Sequence, residues 1–355
     1  MSAIGDKDGK KAFFAAANTG DGFVSMFEEL FFGGNIKKRY IIKGGPGTGK
    51  SSLMRRVGAF AESRGAEVEY YYCSSDTDSI DGIIINGEIA IFDGTSPHSY
   101  DTAEPGYVDS LVDLGRFWRA EMLEKNAEAL RSLSEQKREA YGRAYGYLAA
   151  AMRTGRIADD LTRRCVLLSK LRSAARREIS KLDLRGKGNV IIRQTTSMGV
   201  RGARYLPTLC DMAAEVHFID DMGGISSIYL EELRKLARER GYSAIVSYDT
   251  LDRRRIREML FTESGDLFTS CQDCAERAGA RINMRRFVDA ARFADIRRQY
   301  RETVGCEERL IGLASEELER AGRAHAALEG YYVSAMDFSS LEKYCAEFID
   351  KLPPL

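Results

Sequence analysis

The stretch best equipped for chemistry is a glycine-rich loop, residues 44–51, which reads GGPGTGKS. It satisfies the pattern GxxxxGK[ST], in which backbone N–H groups surround phosphate oxygens because glycines leave no side chain in the way. In such a loop the lysine reaches the β- and γ-phosphates and the next hydroxyl ligates Mg²⁺. The spacing predicts a site for ATP with Mg²⁺. Its candidate binding residues are Gly44, Gly45, Pro46, Gly47, Thr48, Gly49, Lys50, Ser51 and Ser52.

A second segment could bring a carboxylate to the same place. Residues 88–98 read EIAIFDGTSPH, and four apolar residues closed by Asp93 form a Walker B pattern. In that pattern the carboxylate supports the metal ion beside the phosphate loop, so we expect Asp93 and Ser51 to share Mg²⁺. The alternative is an ordinary Asp-Gly turn at the end of a strand.

Two further side chains complete the candidate catalytic set of Lys50, Asp93, Asp76 and His98. His98 follows Asp93 by five positions and could polarise the attacking group, although a structural turn histidine is equally compatible with the sequence. Asp76 lies in the acidic stretch SSDTDSIDG, residues 74–82. It could orient water, accept a proton from a substrate hydroxyl as in a kinase, or cap a short helix.

The elements that would position the loop are readable on either side of it. Tyr40, Ile41 and Ile42 predict a short strand that ends at the loop. Apolar residues at 53, 57, 60 and 61 fall on one face of a helix that starts at the loop, and Arg64-Gly65 predicts its end. Strand, loop and helix are the context that the phosphate-binding motif requires.

The sequence also resembles itself at a separation of 176 residues. Residues 237–256 align with 61–80, and 288–293 align with 112–117. This ordered similarity predicts an internal duplication. The second copy then carries an altered loop, IDDMGGISS at 219–227, where Ser226 stands for Lys50 and Thr269 stands for Asp93. We expect that loop to bind nucleotide weakly or not at all.

The predicted fold class is α/β, with tandem P-loop NTPase-type three-layer cores, each followed by a helical section. Long amphipathic helices are predicted over 108–153, 159–183, 286–333 and 339–352. The predicted domains are a competent nucleotide-binding half, 1–185, and a degenerate half, 186–355.

Four segments also carry a family resemblance: 13–25 (FFAAANTGDGFVS), 40–54 (YIIKGGPGTGKSSLM), 73–82 (CSSDTDSIDG) and 92–98 (FDGTSPH). With them the chain resembles a little-characterised bacterial family of duplicated P-loop ATPases, variously labelled ATPase or nucleotide kinase. The resemblance covers the first hundred residues closely and the remainder loosely. Many relatives keep a good phosphate loop in both halves, and this chain departs from that pattern at 219–227. The family label implies no particular substrate.

The composition limits which partners and which cellular compartment we expect for the chain. The chain has 53 basic and 53 acidic residues, so no overall charge draws it to nucleic acid, and we do not expect nucleic acid as a partner. No apolar run of about 18 residues predicts a membrane span, and the charged N-terminus does not read as a secretory signal. Seven cysteines fit a reducing compartment, which predicts a cytoplasmic protein. One CxxC pair, Cys271 and Cys274, lacks the other ligands of a zinc site.

The leading functional prediction is Mg-dependent ATP hydrolysis in the first half, driving a change between the halves. One alternative is a small-molecule or nucleotide kinase, with the acidic 76–81 stretch shaping an acceptor pocket. Another is a non-catalytic nucleotide switch whose helices recruit a partner. ATP and an unknown small-molecule or protein partner are expected, and oligomerisation stays open.

Overall fold

The structure is a computed structural model that describes residues 2–3, 10–97, 99–182 and 188–354. Two six-stranded mixed sheets with helices dominate it, which confirms the predicted α/β class and two-sheet organisation. Within the described residues no helix is both long enough and apolar enough to cross a membrane.

The first half supplies the strands β1 (Ser2–Ala3), β2 (Lys11–Phe14), β3 (Ala16–Thr19), β4 (Gly22–Ser25), β5 (Lys38–Lys43), β6 (Val68–Tyr72), β7 (Ile80–Ile85), β8 (Ile89–Asp93) and β9 (Asp109–Asp113). Its helices are α1 (Lys50–Ser63), α2 (Ala120–Lys125), α3 (Ala127–Arg163) and α4 (Leu168–Ile179). A π-helical segment, Glu28–Phe32, and a 3₁₀ turn, Gly115–Phe117, connect them.

The second half supplies the strands β10 (Val190–Ile192), β11 (Thr196–Gly199), β12 (Gly202–Tyr205), β13 (Glu215–Asp220), β14 (Ala244–Tyr248), β15 (Ile256–Phe261), β16 (Asp266–Thr269) and β17 (Ala280–Asn283). Its helices are α5 (Thr208–Met212), α6 (Ile225–Arg240), α7 (Ala290–Ala335) and α8 (Phe338–Asp350). Two 3₁₀ segments, Gln272–Arg277 and Met284–Phe287, lie beside β17 in the chain.

The two sheets repeat one topology. The first has the strand order β2-β6-β7-β8-β5-β9 and the second β10-β14-β15-β16-β13-β17. In each sheet the third strand of that order is antiparallel to both neighbours and the remaining pairs are parallel. The registers also repeat, since Tyr70 pairs with Ile83 and Val246 pairs with Met259. The sequence repeat therefore has a structural counterpart, strand by strand.

Two of the longer helices cover the outer face of each sheet. Helices α1 and α8 pack on the first sheet, and α4 and α6 pack on the second. The inner faces share one apolar cluster that contains Tyr71 and Phe92 from one sheet and Leu260 and Leu267 from the other. The predicted separate three-layer cores are therefore not what the structure shows. Burying a side chain such as Phe92 stabilises this shared core by about 1.5–3 kcal/mol.

The terminal helix of each half packs on the sheet of the other half. On α8, Leu341 and Cys345 join the cluster around Leu53 of α1, and on α4, Leu171 joins the cluster around Tyr229 of α6. Helix α3 leads from the first half to α4, and α7 leads from the second half to α8. The two helices pack as a long antiparallel pair, which an ion pair between Arg143 and Glu317 joins. The predicted division at 185 and 186 falls within residues 183–187, outside the described residues.

The helix predicted from residue 108 is wrong at its start. Residues Asp109–Asp113 form the edge strand β9, and the long helical section begins only at Ala120. The physical reason is pairing: β9 lies in register beside β5, with Val112 opposite Ile42. Such a long-range partner overrides a local helical pattern.

Candidate functional site

The glycine loop leaves the sheet between two parallel neighbours. It connects β5 to α1, and β5 lies between β8 and β9. The chain moves away from β5 in one direction through α1 and β6 and later returns past it to β9. Ligand crevices of α/β sheets form at such a reversal, outside the carboxyl ends of the strands. Asp93 ends β8 in register with Ile42 of β5, so the carboxylate lies at this edge.

The side chain of Lys50 folds back onto its own loop. Its amino group donates hydrogen bonds to the carbonyl oxygens of Gly44 and Gly45, both at 2.8 Å. The same nitrogen is 3.5 Å from Asp93 Oδ2. The structure thus brings together Lys50 and Asp93, which the sequence predicted to act on the same phosphates.

The carboxylate of Asp93 is held in place on its other side. Its Oδ1 accepts hydrogen bonds from the Thr95 N–H at 2.8 Å and the Thr95 hydroxyl at 2.5 Å. Burial raises the pKa of Asp93 above its ordinary value, and this effect outweighs the opposing influence of the Lys50 cation. The ionised carboxylate is therefore electrostatically costly in the folded chain unless a further cation approaches it.

The remaining loop residues frame this pair. The Thr48 hydroxyl donates to the carbonyl of Gly45 at 2.9 Å and so closes the loop. Ser51 Oγ accepts the N–H of Ile80 at 3.0 Å, which ties the first turn of α1 to the start of β7. Gly49 caps α1 with φ at +83°, whereas Ser52 is exposed on the first turn.

The oxygens of Ser51 and Asp93 suit Mg²⁺, a hard cation that binds through one or two protein oxygens together with substrate phosphates. In the described part of the chain, no cluster of three or more His, Cys, Asp or Glu residues could hold a metal by itself. A donor set of this size therefore fits a metal that arrives with a nucleotide, rather than a resident metal centre.

Asp76 takes part in a tight turn. Its carboxylate accepts hydrogen bonds from the Asp78 N–H and the Ser79 hydroxyl. Arg201 from the second half pairs with Asp78 at 2.6 Å and is 3.9 Å from Asp76. These contacts agree with a turn-capping role for Asp76, close to the Ser51–Ile80 contact. The remaining catalytic candidate, His98, lies outside the described residues.

The sequence did not predict that helices of the second half cover the glycine loop. A Cβ added at Gly47 would lie 2.5 Å from Val333 Cγ2 and 3.2 Å from Glu329 Cγ, so the last turns of α7 rest on the loop. Gly45 faces Trp118 and Tyr332 in the same way, and Gly49 faces Leu341 of α8. Periodicity alone could not have located this cover, because it does not say which sheet a helix packs against.

The second loop is filled by its own chain. The Asp221 carboxylate accepts the N–H groups of Gly224 at 3.0 Å and Ser226 at 2.7 Å, at the start of α6. An internal carboxylate therefore takes the position that a phosphate oxygen occupies at a helix N-terminus. The buried faces of α1 and α6 repeat at a separation of 176 residues, Leu53 with Tyr229 for example, which keeps Ser226 as the counterpart of Lys50.

The counterpart of Asp93 needs a correction. The buried positions of β5 and β13 match at a separation of 177 residues, so Ile41 corresponds to Phe218. Phe92 pairs with Ile41, and Thr269 pairs with Phe218, so Thr269 corresponds to Phe92 and Ser270 corresponds to Asp93. The sequence alignment was one residue out because the connection between β15 and β16, residues 262–265, is longer than that between β7 and β8, residues 86–88. The second half still lacks a carboxylate at this position.

A cavity of about 340 Å³ lies beside the second loop, under the end of α3. The Thr162 hydroxyl donates to the Gly223 carbonyl at 2.7 Å, so α3 touches the second loop as α7 touches the first. Four charged residues of its lining form two ion pairs, Arg156 with Asp252 at 2.8 Å and Arg255 with Asp159 at 2.6 Å. This pairing favours a structural junction between the halves over an open anion site.

The CxxC pair is part of the shared core. Cys271 and Cys274 are fully buried, and Cys274 Sγ is 2.9 Å from the Tyr205 hydroxyl. All seven cysteines are free thiols.

Comparison of the chain with protein-family models, with curated proteins and with solved structures gives no match.

Proposed function

We propose that the first half binds a nucleoside triphosphate with Mg²⁺, ATP in the first place, and hydrolyses it at the loop of residues 44–51. The convergence of Lys50 and Asp93 at the carboxyl ends of β5 and β8 carries this proposal. It agrees with the resemblance to duplicated P-loop ATPases described above.

Each side chain then has a distinct role. Lys50 exchanges its bonds to the Gly44 and Gly45 carbonyls for the β- and γ-phosphate oxygens. Ser51 and Asp93 hold the nucleotide's Mg²⁺, which neutralises charge on the β- and γ-phosphates. The cation also relieves the electrostatic cost of the buried Asp93 carboxylate. The N-terminal end of α1 adds its partial positive charge.

The contact between α7 and the loop supports coupling of nucleotide binding to a change between the halves. Glu329 and Val333 lie on Gly47, so a change in the loop backbone on phosphate binding would act on α7 by direct contact. Because α7 follows β17 of the second sheet through the short segment Met284–Phe287, a shift of α7 would act on that sheet. The same contact favours a second candidate, a nucleotide switch without turnover, in which the nucleotide and α7 compete for the glycine loop.

Single-turnover incubation with γ-labelled ATP separates these functions. Release of labelled phosphate to water, lost in Asp93→Asn, supports the ATPase. Label that leaves only when a metabolite or nucleotide acceptor is added supports a kinase. Tight Mg-ATP binding without turnover supports the switch. Absence of Mg-ATP binding by the intact chain would overturn the whole proposal.

A further inference from the structure

We propose that Lys137 of α3 and His325 of α7 bind the terminal phosphate of the nucleotide from the helical side, opposite Lys50. The inference rests on the proposed function, because it concerns the same site. It assigns the preference for a triphosphate over a diphosphate to Lys137 and His325.

Helix periodicity and the hydrogen bonds of neighbouring side chains place Lys137. On α3, Tyr141 is hydrogen-bonded to Ser75, and Tyr145 donates to Asn18, whose amide reaches Ser75 at 3.4 Å. Residues 137, 141 and 145 share one helix face, since side chains four apart are neighbours. Lys137 therefore continues this face beyond Ser75, along the turn that contains Asp76.

The same reasoning places His325 from the other side. On α7, Glu329 and Val333 lie against Gly47, and His325 is one turn earlier on their face. His325 interacts electrostatically with Lys137, Asp76 and Lys50. It thus lies between the glycine loop and the Asp76 turn. That is the side on which Ser51, bonded to Ile80, would hold the metal ion.

The charges around Lys137 and His325 favour the binding of an anion. Lys137 is half-buried, and among the described residues no carboxylate forms an ion pair with it. Burial lowers the pKa of its amine. Burial, and then the Lys137 cation, also lower the pKa of His325; Lys50 acts in the same direction, while Glu329 and Asp76 oppose it. Lys50 and Lys137 therefore both oppose protonation of the His325 imidazole, and a γ-phosphate bound among the three would relieve that repulsion.

Binding of a γ-phosphate here has a signature that a structural role lacks. The added negative charge favours the protonated imidazole, so the chain takes up protons as it binds. When the chain binds a diphosphate, which lacks the terminal group, it should take up fewer protons. The experiment is calorimetric titration of the intact chain with a β,γ-imido ATP analogue and with ADP, each with Mg²⁺, at pH 6.5 in two buffers of different ionisation enthalpy.

We expect more proton uptake with the triphosphate analogue than with ADP, and His325→Gln should remove that difference. Lys137→Met should weaken the analogue about tenfold and ADP little, since one charge-assisted hydrogen bond is lost. Arg138→Met is the matched control. It removes a cation from the same turn of α3, where Arg138 is exposed and pairs with Glu135, and should change neither affinity.

The outcomes are distinguishable from those of the proposed function. If the intact chain binds neither nucleotide, both proposals fail. If both nucleotides bind in a manner that requires Lys50, but wild-type proton uptake is equal for the two, the role of His325 and Lys137 is overturned and the phosphate loop stands. Unchanged preference for the triphosphate in folded Lys137→Met and His325→Gln would overturn it as well.

Discussion

Val333, near the end of α7, lies directly on Gly47 of the glycine loop, although the two residues come from opposite ends of the chain. Gly47 has φ at +68°, and a Cβ there would sit 2.5 Å from Val333 Cγ2. Both the backbone conformation and the cover therefore exclude a side chain at this position.

Gly47→Ala should thus lower the free energy of unfolding by about 2 kcal/mol or more, of which about 1–2 kcal/mol is the cost of the left-handed backbone. Adding Val333→Ala should recover the steric part only. Gly34→Ala is the control for the backbone part, because Gly34 has φ at +69° and nothing within 4 Å of an added Cβ. Urea unfolding measures all four proteins, and equal losses for Gly47→Ala and Gly34→Ala would contradict the contact.

Lys50→Ala should weaken Mg-ATP binding by roughly tenfold to a hundredfold, because the charge-assisted bonds to the phosphates are lost. Ser226→Ala should leave the affinity unchanged, since the second loop is closed by Asp221. Trp118, the single tryptophan, lies on Gly45 and offers an intrinsic fluorescence signal for both titrations. Wild-type affinity in Lys50→Ala would refute the assignment of the site to residues 44–51. Two nucleotides bound per chain would refute the conclusion that the second loop does not bind nucleotide.

Asp93→Asn should stabilise the nucleotide-free protein while it weakens Mg-dependent binding. A raised pKa means that the folded chain holds the proton of Asp93 more tightly than the unfolded chain, so ionisation costs stability at neutral pH. The advantage of asparagine is therefore present at pH 7 and disappears as the pH falls below the ordinary value of 3.8, where both states are protonated.

The gain should appear at pH 7 as a higher unfolding midpoint than that of the wild-type chain. Scanning calorimetry from pH 7 downwards tests the direction. Asp113→Asn, on the exposed end of β9 at the other side of β5, should give no comparable gain. A lower midpoint for Asp93→Asn at pH 7 would show that the Lys50 attraction dominates.

Asp221→Ala should destabilise the second half by about 1 kcal/mol, the usual loss when a carboxylate that accepts the first N–H groups of a helix is removed. It should not create a second ATP site, because Ser226 cannot replace Lys50. Asp220→Ala, one residue earlier and also exposed, is the matched control and should change stability by less than about 0.5 kcal/mol. Thermal unfolding with and without Mg-ATP reads out both effects.

Local sequence rules were sufficient for the loop and its flanking elements. The glycines, Lys50 and the apolar runs around them specify strand, loop and helix within 26 positions, and Asp93 follows from four apolar residues closed by a carboxylate. Strand β9 was missed because its stability comes from pairing with β5, not from its own residues. Lys137 and His325 were missed because helical periodicity identifies a buried face without naming the surface it is buried against.

The crossing of α3 and α7 has a consequence for the origin of the chain. A single repeat that folded by the same contacts would leave its sheet with one of its two outer helices missing and its own last helix without a sheet. Two separate copies would satisfy both needs by exchanging those helices around a twofold axis, which is the arrangement of a domain-swapped homodimer. The present chain has the form of such a dimer joined into one polypeptide. In the joined chain the two loops differ: Asp221 accepts the first N–H groups of α6 in one, whereas the other keeps Lys50.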